Sequence, residues 1–176
     1  MKSVLISIQP KWCEKICNGE KTIEVRKSAP KCEVPFKCYI YETKGETETP
    51  WVDEDGHFIY KGRGQVVGEF ICDKVDKYTF SHYEAEYRVT HVEQNAMCLN
   101  QPELIHYGKG KPLYGWHISD LKIYDKPREL SEFIKPCPYG DSSCQVCEYY
   151  SDYSGECRNI ITRPPQSYMF VKEVEQ

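Results

Sequence analysis

The apolar residues of this chain come in short runs, and nearly every run is closed by Gly, Pro, Asn or Asp. That pattern predicts short strands joined by turns, with few helices. Lys2–Ile8 is rich in β-branched residues and reads as a strand. Pro10 suits the first turn of a helix, which runs to about Asn18 and stops at Gly19. Trp12 and Ile16 are spaced to face the core together. Thr22–Arg26 alternates as a strand, with Ile23 and Val25 on one face and Thr22, Glu24 and Arg26 on the other. Phe36–Glu42 is a further strand. Residues 43–64 are polar and read as a surface excursion with a hairpin turn at Asp55-Gly56. Strands follow at Gln65–Cys72 and Lys74–Phe80. A helix starts at Asn100, with Glu103 at the reciprocal capping position, and ends at Gly108. Leu113–Tyr124 reads as one long strand bent at Gly115, and Ser167–Val174 as the last strand. About seven strands with two or three short helices predict an α+β fold built on a small mixed or barrel-like sheet.

A chain of 176 residues fits one domain, 1–176. No apolar run approaches a membrane span, and the first residues turn polar too soon for a signal peptide, so the expected location is cytoplasmic. A net charge of −4 argues against gripping extended DNA by charge alone. The charge is uneven, however. Residues 1–44 carry nine Lys/Arg against five Asp/Glu, and the rest carry fourteen against twenty-two. An anionic ligand is therefore expected at the N-terminal third.

Ten cysteines are many for this length. Cys13, Cys17, Cys32, Cys38, Cys72 and Cys98 are scattered and read as small, reduced, mostly buried side chains. Cys137, Cys144, Cys147 and Cys157 have metal-site spacing, and the Pro, Gly, Asp and Ser residues around them cannot build an apolar core. Residues 135–163 are therefore read as a Cys-rich zinc-binding insertion before the last strand. An iron–sulfur cluster and free thiols or disulfides are the alternatives. Four thiolates leave no position for water, so the zinc would be structural. Tyr149, Tyr150 and Tyr153 either extend a ligand surface or, on the plainer reading, pack under this loop.

The segment Ile8–Arg26 resembles the opening of ASCH domains, members of the PUA-like superfamily. The matching features are Pro10 and Lys11, the helix ending in Gly19, and Lys21-Thr22 leading into a strand with Glu24 and Arg26. Val67–Phe70, Tyr114–His117 and Tyr168–Val174 are similar to later strands of the family, so the resemblance spans residues 2–134 and 165–174. It implies a small PUA-like β-barrel with a cleft beside the N-terminal helix, and RNA or a modified nucleoside as the ligand. The residues fit such a cleft. Lys11, Lys21 and Arg26 supply positive charge, Glu24 and Glu69 accept hydrogen bonds, Thr22 offers a hydroxyl, and Trp12, Tyr41 and Trp116 offer stacking faces. The plainer alternatives are an exposed Glu24–Arg26 pair worth at most about 1 kcal/mol, and tryptophans that simply pack in the core. On this reading Lys21 sits at the cleft mouth and contributes little to stability.

Some small bacterial members of the family are amidohydrolases that release acetate from N4-acetylcytidine. The resemblance implies a Lys, a Thr in the following strand and a distant Glu. Lys21 matches the first. Glu24 stands at the second position, where a carboxylate can act only as a general base. Glu93, in His91–Met97, is the nearest candidate for the third, although simple alignment places Asn95 there. An amide hydrolase using Lys21, Glu24 and Glu93 is thus the alternative function, and a protein-interaction module a third class. His91-Val-Glu93 with Cys144-Gln-Val-Cys147 mimics a zinc deaminase signature. Ser143 replaces its Pro, however, and Cys137 and Cys157 offer the same metal a closed set.

Overall fold

The computed structural model describes residues 1–52, 55–136 and 159–173, and its elements alternate short strands with three short helices. In chain order they are β1 (Ser3–Ile8), α1 (Pro10–Cys17), β2 (Ile23–Arg26), β3 (Phe36–Glu42), β4 (Glu46–Val52), β5 (Phe58–Lys61), β6 (Val66–Cys72) and β7 (Val75–Tyr78). The two-residue strands β8 (Phe80–Ser81) and β9 (Glu86–Tyr87) precede α2 (His91–Met97) and α3 (Gln101–Gly108). Then come β10 (Leu113–His117), β11 (Ser119–Arg128), β12 (Phe133–Ile134), β13 (Tyr168–Phe170) and β14 (Lys172–Glu173). The predicted α+β class holds. Among the described residues, no helix is long and apolar enough to cross a membrane.

The main sheet has five strands in the order β11-β6-β3-β1-β13, with β1 and β3 parallel and the other pairs antiparallel. A second sheet has the order β2-β10-β7. Here the barrel expectation is corrected: among the described residues the two sheets do not join into one closed ladder. The break is at Ile118. The predicted single strand Leu113–Tyr124 leaves the small sheet after His117 and enters the main sheet at Ser119. The amide of Ile118 still bonds to the carbonyl of Thr22, one step beyond the last β10–β2 pair, and the next residue already pairs with β6. At Gly115, where a bend is expected, β10 keeps its register with both β2 and β7. A Cβ there would lie 2.7 Å from the Tyr78 ring and 2.8 Å from an Ile23 methyl, so its bareness lets those side chains close over β10. The polar excursion contains the β4–β5 hairpin around Asp55-Gly56, with Gly56 at φ +86° as the turn requires.

Alternation in β1 and β3 puts Val4, Ile6 and Ile8 with Cys38 and Ile40 on one face of the main sheet, where Ile16 of α1 and Trp116 of β10 cover them. Leu5, Tyr39 and Tyr41 fill the opposite face with Phe133 and Ile161. A third cluster, built on Ile23, Val25, Met97 and Leu104, packs α2 and α3 on the far side of the small sheet. The six scattered cysteines are free thiols, with Cys13, Cys38 and Cys72 buried and Cys17 exposed. Helix α2 escaped the sequence reading although Thr90 and Glu93 form a complete capping box at its start.

Trp116 is fully buried, edge-on to Phe36 and to Tyr168 with both centroids at 5.4 Å. Trp116→Ala is expected to cost about 3–5 kcal/mol in chemical denaturation, the range for truncating a core aromatic. A near-neutral effect would remove Trp116 from the core.

Candidate nucleoside cleft

The site begins where α1 ends. Gly19, at φ +74°, reverses the chain, and the amide of Lys21 bonds back to the carbonyl of Lys15 at 2.9 Å. That bond draws Lys21 beneath the helix instead of leaving it at a cleft mouth. Its side chain is 2% exposed, which corrects the sequence expectation. The ammonium donates to the carbonyl of Met97 at 2.6 Å, at the C-terminus of α2, where the helix leaves its carbonyls unpaired and its dipole favours a cation. It also lies 3.5 Å from Glu24 Oε2 and 5.1 Å from the Trp12 ring centroid. Burial pushes the Lys21 pKa below the ordinary lysine range, while Glu24 acts in the opposite direction.

Glu24 and Arg26 lie on the β2 face that looks toward the main sheet, together with Trp116, the cross-strand partner of Glu24. Both are buried, so the exposed ion pair expected from sequence becomes an enclosed one. Glu24 Oε1 lies 3.3 Å from Arg26 Nη1. Arg26 also donates to the carbonyl of Ser7 at 3.0 Å, and to the carbonyl and hydroxyl of Ser167 at 2.5 and 3.1 Å. Its Nε is buried without a partner. The row Lys21, Glu24, Arg26 thus ties β2 to α2, to β1 and to the final segment.

Above this row opens a cleft of about 700 Å³. Of the residues singled out from sequence, Lys11, Trp12, Lys21, Glu24 and Arg26 line it together. The others lie elsewhere. Thr22 is exposed, its backbone held to Ala96 and Ile118, and its side chain is outside the cleft lining. Tyr41 packs on the opposite face of the main sheet. Glu69 is bound there by Lys37 at 3.2 Å and by the Tyr124 hydroxyl at 2.6 Å. Trp116 is sealed in the core. Glu93 caps α2, accepting from the Thr90 amide and hydroxyl at 2.7 Å each. The metal candidates Cys137, Cys144, Cys147 and Cys157, and Tyr149, Tyr150 and Tyr153, lie outside the described residues.

The opposite wall comes from α3, a helix that the sequence shows without revealing that it faces a cleft. Pro102, Glu103, His106 and Tyr107 line it at helical spacing, with Leu99 just before the helix cap, a stripe legible in sequence once the helix is known to face a cleft. Glu103 is engaged in capping, accepting from the Asn100 amide at 2.9 Å. Burial raises the Tyr107 pKa, which the Arg26 charge lowers and the Glu24 charge raises more weakly. A larger groove of about 930 Å³ lies on the other side of α1, between Cys13 and the β4–β5 hairpin. Its charged lining is mainly acidic (Glu14, Glu42, Asp55 and Asp125 against Arg63 and Lys126), and it holds none of the residues chosen from sequence.

Glu24→Ala leaves two enclosed cations without a counter-charge and is expected to destabilise the fold by about 3–5 kcal/mol. Chemical denaturation measures this, with Glu20→Ala as the control, since Glu20 pairs with Lys15 only at the surface. Equal effects of the two substitutions would contradict the enclosure.

The family model of the ASCH domain matches residues 6–161. The crystal structure of an ASCH protein from Zymomonas mobilis superposes with a TM-score of 0.55 over 97% of this chain and 88% of that chain, at 16% identity. Two single-substitution variants of that protein give TM-scores of 0.51 and 0.52 at 15% identity, covering 97–98% of this chain and 89–91% of theirs. At such identities the likeness shows the fold alone. No curated protein matches the chain. The match to the family model takes in most of the sequence, including α1, β2 and both walls of the cleft, and the chain belongs to the ASCH domain family.

Proposed function

We propose that the cleft binds RNA or a modified nucleoside, in line with the RNA binding proposed for the PUA-like family to which ASCH domains belong. The observation that carries this is the buried Lys21–Glu24–Arg26 row, which lines a cleft of about 700 Å³ beside Trp12. Two cations against one carboxylate leave the floor net positive. Glu24 keeps lone pairs for a base amino group or a ribose hydroxyl, because its contacts at 3.3 and 3.5 Å do not saturate a carboxylate. Trp12 supplies a half-buried ring for a base. The volume suits a small molecule or one residue of a strand.

A second reading, amide hydrolysis of an N-acylated cytidine, has one observation in its favour. Lys21 is an amine held below its ordinary range against a carboxylate, which suits proton transfer. Glu93 is not available to that chemistry as placed, since capping α2 occupies it.

Calorimetric titration with cytidine, N4-acetylcytidine and short RNAs, run beside an acetate-release assay, separates the two. The binding reading expects saturable binding without acetate, weakened by roughly 1–3 kcal/mol in Glu24→Gln. Acetate release by the wild type, lost in Glu24→Gln at unchanged affinity, would make the protein an enzyme.

For Cys137, Cys144, Cys147 and Cys157 we propose one structural zinc. The described residues on either side support a closed loop: Ile134 bridges Ile160, and the amide of Lys135 bonds to the carbonyl of Asn159 at 3.1 Å. The described residues that flank the segment are thereby held side by side. Protein purified without added metal is expected to carry about one zinc per chain by elemental analysis. An iron chromophore with little zinc would reject this.

A further inference from the structure

Resting on the cleft reading above, we infer that the ligand is a nucleotide: a base in the cleft with a phosphate at its rim, held by Lys11 and Lys27. The two walls present one ring each, Trp12 from α1 and Tyr107 from α3. Each ring carries an exposed ammonium. Lys11 Nζ lies 4.4 Å from the Trp12 centroid, and Lys27 Nζ lies 4.6 Å from the Tyr107 centroid. Among the described residues neither lysine forms an ion pair, although acidic residues outnumber basic ones in the chain as a whole. The floor cations are differently placed. Lys21 and Arg26 are already spent on Glu24 and on the carbonyls of Met97, Ser7 and Ser167. Glu103, the acidic residue on the α3 wall, is held in its cap. Positive charge free to move is therefore found on Lys11, which lines the cleft, and on Lys27, which lies outside that lining with its ammonium on the Tyr107 ring.

These parts act together. An exposed ammonium on an aromatic face is a weak contact, and a base that stacks on the ring displaces it. A phosphate attached to that base offers the displaced ammonium a stronger, charge-assisted hydrogen bond within reach of its stem. A neutral nucleoside displaces the lysines and gives them nothing in return. The rim thus selects nucleotides over nucleosides. That chemistry has two sources, a free mononucleotide or one residue of an RNA strand. Two lysines on separate walls suit a strand, which carries a phosphate on each side of the base.

The test is calorimetric titration of the full chain at low and at physiological salt. The probes are the four ribonucleosides, their 5′- and 3′-monophosphates, and ribotrinucleotides of each base. The expected result is at least roughly tenfold tighter binding of a monophosphate than of its nucleoside at low salt, shrinking as salt rises. Lys11→Ala and Lys27→Ala should each reduce that ratio severalfold while moving nucleoside affinity less, with unchanged melting temperature confirming the fold. Tighter binding of the trinucleotide than of either monophosphate, lowered by both substitutions, assigns the strand. A monophosphate bound as tightly as the trinucleotide assigns the free nucleotide. Equal affinity for nucleoside and nucleotide overturns this inference and leaves the cleft reading intact. Binding of none of the probes overturns the cleft reading, and this inference with it.

Discussion

Three charged side chains on one short stretch, Lys21, Glu24 and Arg26, are enclosed almost completely, and the rest of the structure is arranged to make that tolerable. Removing such groups from water costs several kcal/mol each unless good partners replace it. The partners come from distant parts of the chain: the Met97 carbonyl at the end of α2, the Ser7 carbonyl of β1 and Ser167 before β13. The row is therefore a joint as well as a site. It fixes the small sheet against the main one, and it holds the final segment beside the cleft that Gln166 helps to line.

Helix α1 divides the surface beside this joint into two environments. One side carries Lys11 and Trp12 over a net positive floor, and the other carries Cys13 and Glu14 into a mainly acidic groove. The groove is the larger, but its charge is wrong for a phosphate-bearing ligand. Charge, not volume, decides which opening is the candidate. The uneven charge of the sequence anticipates this, since Lys11, Lys21 and Arg26, the lysines and arginine of the cleft lining, all come from the N-terminal 44 residues.

Local signals were legible where they act locally. The Pro10 start and Gly19 stop of α1, the alternation of β2, the Asn100–Glu103 cap of α3 and the Asp55-Gly56 turn all appear as their residue types dictate. Errors arose where tertiary contacts decide. Lys21 reads as a surface lysine because nothing local reveals that its backbone bonds under α1 and its amine reaches α2. For Trp116 the plainer of its two readings, core packing, is the one that holds, while Tyr41 reads as a stacking platform because a strand shows which residues share a face, not whether that face is sealed. Leu113–Tyr124 reads as one strand because changing sheets at Ile118 needs no turn residue. Tyr107 was overlooked because an aromatic on a short helix is ordinary until the opposite wall is known. The same ambiguity covers Glu93, whose Thr90 partner marks a helix cap as plainly as any catalytic role.

The most direct test of the cleft as the binding site is heteronuclear NMR of the labelled protein titrated with a cytidine nucleotide. The indole resonances of Trp12 and Trp51 report on the two openings, since Trp12 lines the cleft and Trp51 the groove. Saturable shifts at Trp12, with Leu99 and Tyr107 following and Trp51 unmoved, are the result the structure predicts. Shifts confined to Trp51 and its surroundings would contradict it and move the site to the far side of α1.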